Sequence, residues 1–424
     1  MTLHAESDCD LIEYGDSVKL ARHTWTSVLL GIGVALALIL SEALLPSQLL
    51  SQEHNSTPMS PSPYASSPRQ ELRGVWMTNI DSEVLFSREN LSDGLDRLSR
   101  LNFNTVYPTV WNWGYTLYPS AVAEAEFGQS LDPHPGLQGR DILTEIVEQG
   151  HQQGLAVIPW FEFGLMAPSY SVLAQRHPDW ITQRQNGTQI VMEGQHPRVW
   201  LNPLHPDVQQ FIVDLVTEII TTYDVDGIQF DDHFGMPVEL GYDDYTVQQY
   251  QRDHQGQSPP DDPHDSEWVR WRANKITNLM VQVFYAVKSR KPDCLISLAP
   301  NPWQFSYQFY LQDWLTWERL GFVEELIVQV YRNSLDSFVR EIERPEVLQA
   351  MQHIPVGVGI LTGLKNRPVP MEQIQEQVNT VRTHELSGVS FFFYESLGDR
   401  DRHFQALFPQ NASRPVPQMA ERQE

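Results

Sequence analysis

Asp226-Gly227-Ile228-Gln229-Phe230-Asp231-Asp232-His233 is the stretch that decides how this chain folds. Alternation puts Ile228 and Phe230 on one face of a strand and Gln229 and Asp231 on the other. The strand then runs straight into two carboxylates and a histidine. Carboxylates at the end of a strand are costly unless they are solvated, paired or at work. In a barrel of parallel strands the carboxyl ends are where catalytic side chains gather.

The same alternation extends outward from this block. Strand-like runs cover 72–79, 105–110, 156–162, 227–231, 295–299, 325–331, 355–361 and 388–394. Amphipathic stretches cover 91–101, 142–153, 206–223, 268–289, 311–320, 335–348, 371–384 and 402–407. Val208, Phe211, Ile212, Leu215, Val216 and Ile219 make one apolar stripe at helical spacing. Strand and helix in regular alternation predict an α/β fold, a (β/α)8 TIM barrel with enlarged βα loops over residues 71–408. A doubly wound open sheet would carry a Gly-rich phosphate turn after its first strand, and Asn79-Ile80-Asp81-Ser82 has none.

Ahead of the barrel, Trp25–Leu40 carries no charge, so residues 24–45 read as a transmembrane anchor at the lower limit of spanning length, roughly 17 residues. Lys19 and Arg22 precede it and the next basic residue is Arg69. That bias puts residues 1–23 in the cytoplasm as a tail, and the barrel on the periplasmic or extracytoplasmic side of the cell membrane. Its rival is a cleaved signal peptide and a secreted protein, since Ala35-Leu36-Ala37 and Ser41-Glu42-Ala43 resemble cleavage sites. Residues 46–70 are a Ser/Pro-rich linker, and residues 409–424 read as a flexible tail. Cys9 and Cys294 fall on opposite sides of the apolar run, which predicts no intrachain disulfide. Twenty-nine basic residues against 54 acidic ones cannot neutralise phosphates, so nucleic acid is excluded as a partner.

On a barrel, the strand ends collect a definite set. Asn79 and Asp81 follow the first strand; Trp111, Asn112 and Trp113 follow the second; Trp160, Phe161 and Glu162 close the third. Asp231, Asp232 and His233 end the fourth, Asn301 the fifth, Gln329, Tyr331 and Arg332 the sixth, and Tyr394 and Glu395 the eighth. Carboxylates, amides and aromatics on one rim suit a polyhydroxylated substrate such as a glycan. Glycoside cleavage commonly uses two carboxyl groups. Asp232 is the expected general acid and Asp231 the charge-stabilising or nucleophilic partner. Side chains of adjacent strand residues diverge, so Glu162 competes for one of the two roles. Trp111, Trp113 and Trp160 are candidates to line sugar subsites, against an equal claim from the core. His233, Asn301, Gln329, Tyr331, Arg332 and Glu395 complete the candidate substrate-binding set. A blander arrangement pairs Asp231 with Arg332 and leaves Asp232 solvated. Arg73 reads as a structural ion-pair partner at the barrel bottom. The pattern requires no cofactor and no metal.

The run LRGVWMTNIDSEVL, then LNFNTVYPTVWNWGYTLYPS, then WLNPLHPDVQQFIVDLVTEIITTYDVDGIQFDDHF resembles the glycosyl-hydrolase-like 10 family of bacterial proteins, across 71–408. The resemblance implies a (β/α)8 barrel that hydrolyses glycosidic bonds, in some members those of cell-wall glycan, with Asp231 and Asp232 in the active site. One departure stands out: family members often have Trp-Phe-Asn-Pro where this chain has Trp160-Phe161-Glu162-Phe163. There is a fainter likeness to chitinase-type barrels, but His233 occupies the place of their catalytic glutamate. Phe230-Asp231-Asp232 also resembles the carboxylate pair of metal-dependent polysaccharide deacetylases. Those need a His pair at helical spacing, and the next histidines here are His254 and His264. A membrane-anchored glycoside hydrolase is therefore the leading expectation, with a non-catalytic glycan-binding barrel second and a deacetylase third.

Overall fold

The computed structural model describes residues 70–364 and 367–416. The tail, the anchor and nearly all of the linker read at the N-terminus lie outside them. Among the described residues, no helix is long and apolar enough to cross a membrane.

All eight strand-like runs form strands. They are β1 (Leu72–Met77), β2 (Thr105–Pro108), β3 (Ala156–Val157 and Trp160–Phe161), β4 (Gly227–Asp231), β5 (Leu295–Ala299), β6 (Glu325–Gln329), β7 (Val356–Leu361) and β8 (Gly388–Phe392). Every pairing among them is parallel. The curled sheet runs from Ala156–Val157 through β2, β1, β8, β7, β6, β5 and β4 to Trp160–Phe161. Its two ends therefore belong to one run of chain, parted by Ile158 and Pro159. Ile158 N donates to the Val106 carbonyl at 3.0 Å on one side, and the Pro159 carbonyl accepts from Gln229 N at 2.8 Å on the other. This is a TIM-like α/β fold.

Ile228 and Phe230 face the outer apolar layer between sheet and helices, while Gln229 points into the interior. There Trp76 Nε1 donates to Gln229 Oε1 at 2.7 Å, Gln229 Nε2 to Ser297 at 2.9 Å, and Ser297 Oγ to Glu325 at 2.8 Å. Register explains the chain of bonds, because Gln229 lies beside Ser297 and Ser297 beside Glu325 on neighbouring strands. Burying a carboxylate needs a cation. Arg414 supplies it from the C-terminal segment, pairing with Glu325 and donating to Thr105 at 3.2 Å. Residues 409–416 are thus docked rather than loose: Ser413 bridges Gln70, and Gln410 accepts from Arg73. Arg73 also pairs with Glu71 at 2.7 Å, as its position at the bottom predicts.

Two helical readings change. Residues 311–320 form Trp314–Arg319, preceded by a second helix, Trp303–Tyr310, and Leu311 between them adopts a left-handed backbone (φ 57°) that ends the first. Residues 335–348 split into Leu335–Ile342 and Pro345–Ala350, because Pro345 has no N–H to continue the first helix and starts the second. After β3 the chain makes an excursion the sequence pattern does not announce, a three-stranded antiparallel sheet of Met166–Pro168, Val191–Glu193 and His196–Trp200.

Replacing Arg414 by Met strips Glu325 of its cation and is expected to destabilise the protein by roughly 3 kcal/mol in chemical denaturation. Adding Glu325→Gln to that variant is expected to recover most of the loss. An unchanged midpoint in the single variant would show that the tail pair is dispensable.

Candidate functional site

The exit of β3 and the turn after β4 bring the carboxylates together. Gly164 follows Glu162 with a positive φ of 47°, and a Cβ there would stand 2.5 Å from the His233 carbonyl oxygen. Only glycine allows the exit of β3 to lie against the turn after β4. Leu165 N then donates to that same carbonyl at 2.9 Å.

Asp231 ends β4 with 2% of its surface exposed. It accepts from Trp160 Nε1 at 3.1 Å and from His233 N at 2.9 Å, and the His233 Nδ1 lies 3.3 Å away. Burial pushes its carboxyl up to about 6, against the opposing pull of His233. Glu162, also buried, accepts from Thr78 at 2.8 Å and Thr109 at 2.7 Å. Burial pushes it up to about 7, despite those two hydroxyl donors, and the Asp231 charge adds to the rise. Asp232 is the more accessible carboxylate. Asn301 Nδ2 donates to one of its oxygens at 2.8 Å and Gln329 Nε2 to the other at 3.2 Å. These two amides fix the plane of the carboxyl and leave each oxygen a further lone pair.

His233 is the cation among these acids. Burial opposes its charge, but Asp231, Asp232 and Glu193 outweigh burial and hold the imidazole well above its ordinary range. Its Nδ1 lies 2.8 Å from the Glu162 carbonyl oxygen. Tyr331 packs against Phe392, and burial followed by the charges of Asp232 and Asp231 raises its phenol well above the ordinary range. Asp231, Asp232 and His233 each offer a ligand atom within 4.8 Å of the others. His233 Nδ1 lies against the Glu162 carbonyl and Nε2 faces Glu193, so in this structure the trio is held together as an ion-pair cluster.

Eight of the candidate residues therefore meet: Asp231, Asp232, Glu162, His233, Trp160, Asn301, Gln329 and Tyr331. Trp113 stands one layer out, its ring 4.2 Å from the Arg198 guanidinium and 5.7 Å from Phe163. Three candidates go elsewhere. Trp111 is fully buried between Phe127 and Phe211 and is core, because its indole N–H is committed to the Gly164 carbonyl. Arg332 pairs with Glu341 at 3.1 Å rather than with Asp231. Glu395 caps the loop after β1, accepting from Ser82 and from the Glu83 and Val84 amides. Cys294 is also outside the cluster, as a buried apolar residue.

Sequence reasoning missed Thr78, Thr109, Gln312 and Glu193. Thr78 and Thr109 directly follow β1 and β2, so strand-end position was a usable signal. Gln312, which donates to the Asp231 carbonyl at 2.7 Å, comes from the turn between two helices, and Glu193 from the antiparallel excursion, and no periodicity gives the course of either.

A model of the family described as glycosyl hydrolase-like 10 matches residues 71–380. Glycosyl hydrolase DigH of Escherichia coli K12 is 27% identical over 315 residues, 63% of this chain and 63% of its own. Glycosyl hydrolase YngK of Bacillus subtilis 168 is 23% identical over 252 residues, 54% of this chain and 45% of its own. The chain thus spans less than two thirds of the length of the curated relatives it matches. Among solved structures, the glycoside hydrolase domain of PgaB (BpsB) from Bordetella bronchiseptica superposes with a TM-score of 0.60 at 13% identity. That match covers 80% of this chain and 99% of the other, and it is a likeness of fold.

Glu162 binds its proton more tightly folded than unfolded, so its contribution to stability falls as pH rises from about 4.5 to about 7. Glu162→Gln removes the buried charge. It is expected to match the wild type near pH 4.5 and to exceed it above pH 7 by on the order of 2–3 kcal/mol. Parallel melting curves across that range would sink the idea.

Proposed function

The chain belongs to the glycosyl hydrolase-like 10 family, and from that premise we propose that it cleaves glycosidic bonds with the Asp231–Asp232 pair. The observation that carries this reading is Asp232. It is a partly exposed carboxylate at a strand end, aimed by Asn301 and Gln329, with a second carboxylate buried directly behind it. Asp232 serves as the general acid toward the leaving oxygen. Asp231 answers the positive charge that develops at the anomeric carbon.

For substrate, we propose a bacterial polysaccharide of the peptidoglycan type. Support comes from the family resemblance and from the apolar run 24–45 with its basic flank, which suits an enzyme anchored beside an immobile polymer outside the cytoplasm. A non-catalytic glycan-binding barrel is the second reading, favoured by the share of candidate residues already committed to one another.

The test is incubation of the full chain with purified cell-wall glycan strands, with products read by mass spectrometry beside an Asp232→Asn variant. New reducing ends that fall by at least 100-fold in the variant are expected, a loss typical of a missing general acid. Glycosides with activated leaving groups, which need no proton, would lose far less. Glycan retained without cleavage by the wild type would favour the binding barrel instead.

A further inference from the structure

The antiparallel excursion after β3 delivers a second acid to His233. Strand Val191–Glu193 is short and lies at the surface, with Met192 57% exposed on its outer side. Glu193, its neighbour on the inner side, is 10% exposed, and its Oε1 is a buried atom with no hydrogen-bond partner, 3.6 Å from His233 Nε2. Its Oε2 lies 3.6 Å from Arg198 Nε, and the Arg198 guanidinium stacks over Trp113 and Phe163. An apolar residue would bury that position at lower cost; a carboxylate is favourable there only where a cation needs it.

We propose that Glu193 is a positioning residue that holds His233 and, through it, Asp231, which makes the excursion 166–200 a working part of the site. This rests on the reading of Asp231 and Asp232 as the working carboxylates. The groups that face His233 come from four elements: Glu162 from the end of β3, Asp231 and Asp232 from the end of β4, Glu193 from the excursion, and Tyr310 from helix Trp303–Tyr310. Asp231 faces Nδ1 at 3.3 Å and Glu193 faces Nε2 at 3.6 Å, so a rotated imidazolium would lose one of these two charge contacts. Glu193 is itself held below the ordinary carboxylate range, because His233 and then Arg198 outweigh its burial. The interaction is therefore mutual.

The decisive experiment follows the His233 ring by NMR in the full chain with ring-labelled histidine, assigned by loss of its signal in His233→Gln. Glu193→Gln keeps volume and polarity while removing the charge. It is expected to lower the His233 titration midpoint by about one pH unit, a tenfold weaker hold on the proton. Glu193→Asp should restore part of that shift. A His233 midpoint unchanged in Glu193→Gln overturns the proposal, as does a wild-type midpoint in the ordinary imidazole range. A chain that cleaves no glycan overturns the hydrolase reading, and the titration still decides the Glu193–His233 coupling.

Discussion

Everything in the site hangs on the run from Ala156 to Phe161, which belongs to both ends of the parallel sheet. Its first half pairs with β2 and its second with β4, and the carbonyls of Val157 and Pro159 accept from Asp226, just before β4, and from Gln229 within it, while Ile158 N serves β2. Pro159 has no N–H to give, so the ladder breaks there without leaving an orphaned donor. A sheet fastened in this way fixes the azimuth of each strand end. That is why Glu162, leaving β3, and Asp231, leaving β4, face each other.

Such convergence of acids carries an electrostatic cost that the fold answers locally. Glu162, Asp231 and Asp232 occupy one rim with Glu193 above them, and each alone would be unfavourable in a dry interior. His233 offsets part of the charge, hydroxyl and amide donors offset more, and a proton retained by Glu162 up to about pH 7 offsets a further part. The same logic runs through the interior below, where the Trp76–Gln229–Ser297–Glu325 chain ends on Arg414. Polar groups inside the sheet are thus joined in networks rather than scattered, which favours one register over its neighbours.

Periodicity made the architecture legible, because strand alternation and helical stripes are local properties of the chain. All eight strands and the apolar stripe of helix Pro206–Thr222 follow from it. So does the Asp231–Asp232 block, since a strand end is a local feature. Partners were legible only where they too sit at strand ends, as Asn301 and Gln329 do. Trp111 misleads because a tryptophan after a strand looks the same whether it points to the rim or to the outer helices. Arg332 and Glu395 mislead in a similar way, being charges whose partners Glu341 and Ser82 are set by tertiary contact. Glu193 and Gln312 carry no signal at all, since the antiparallel excursion and a turn between helices position them.

The carboxyl at Glu162 departs from the asparagine often found at this place in the resembling family, and the structure gives that departure a physical reading. Thr78 and Thr109 hold its oxygens in a buried niche, and its carbonyl receives the His233 ring. With burial pushing the group up to about 7, it carries a proton through most of the acidic range and there presents the outline and neutrality of an amide. Above that range it becomes a fourth negative charge in the cluster. The asparagine-to-glutamate difference thus preserves the packing of the site while making its electrostatics depend on pH, with Asp231 and His233 the first groups to feel the change.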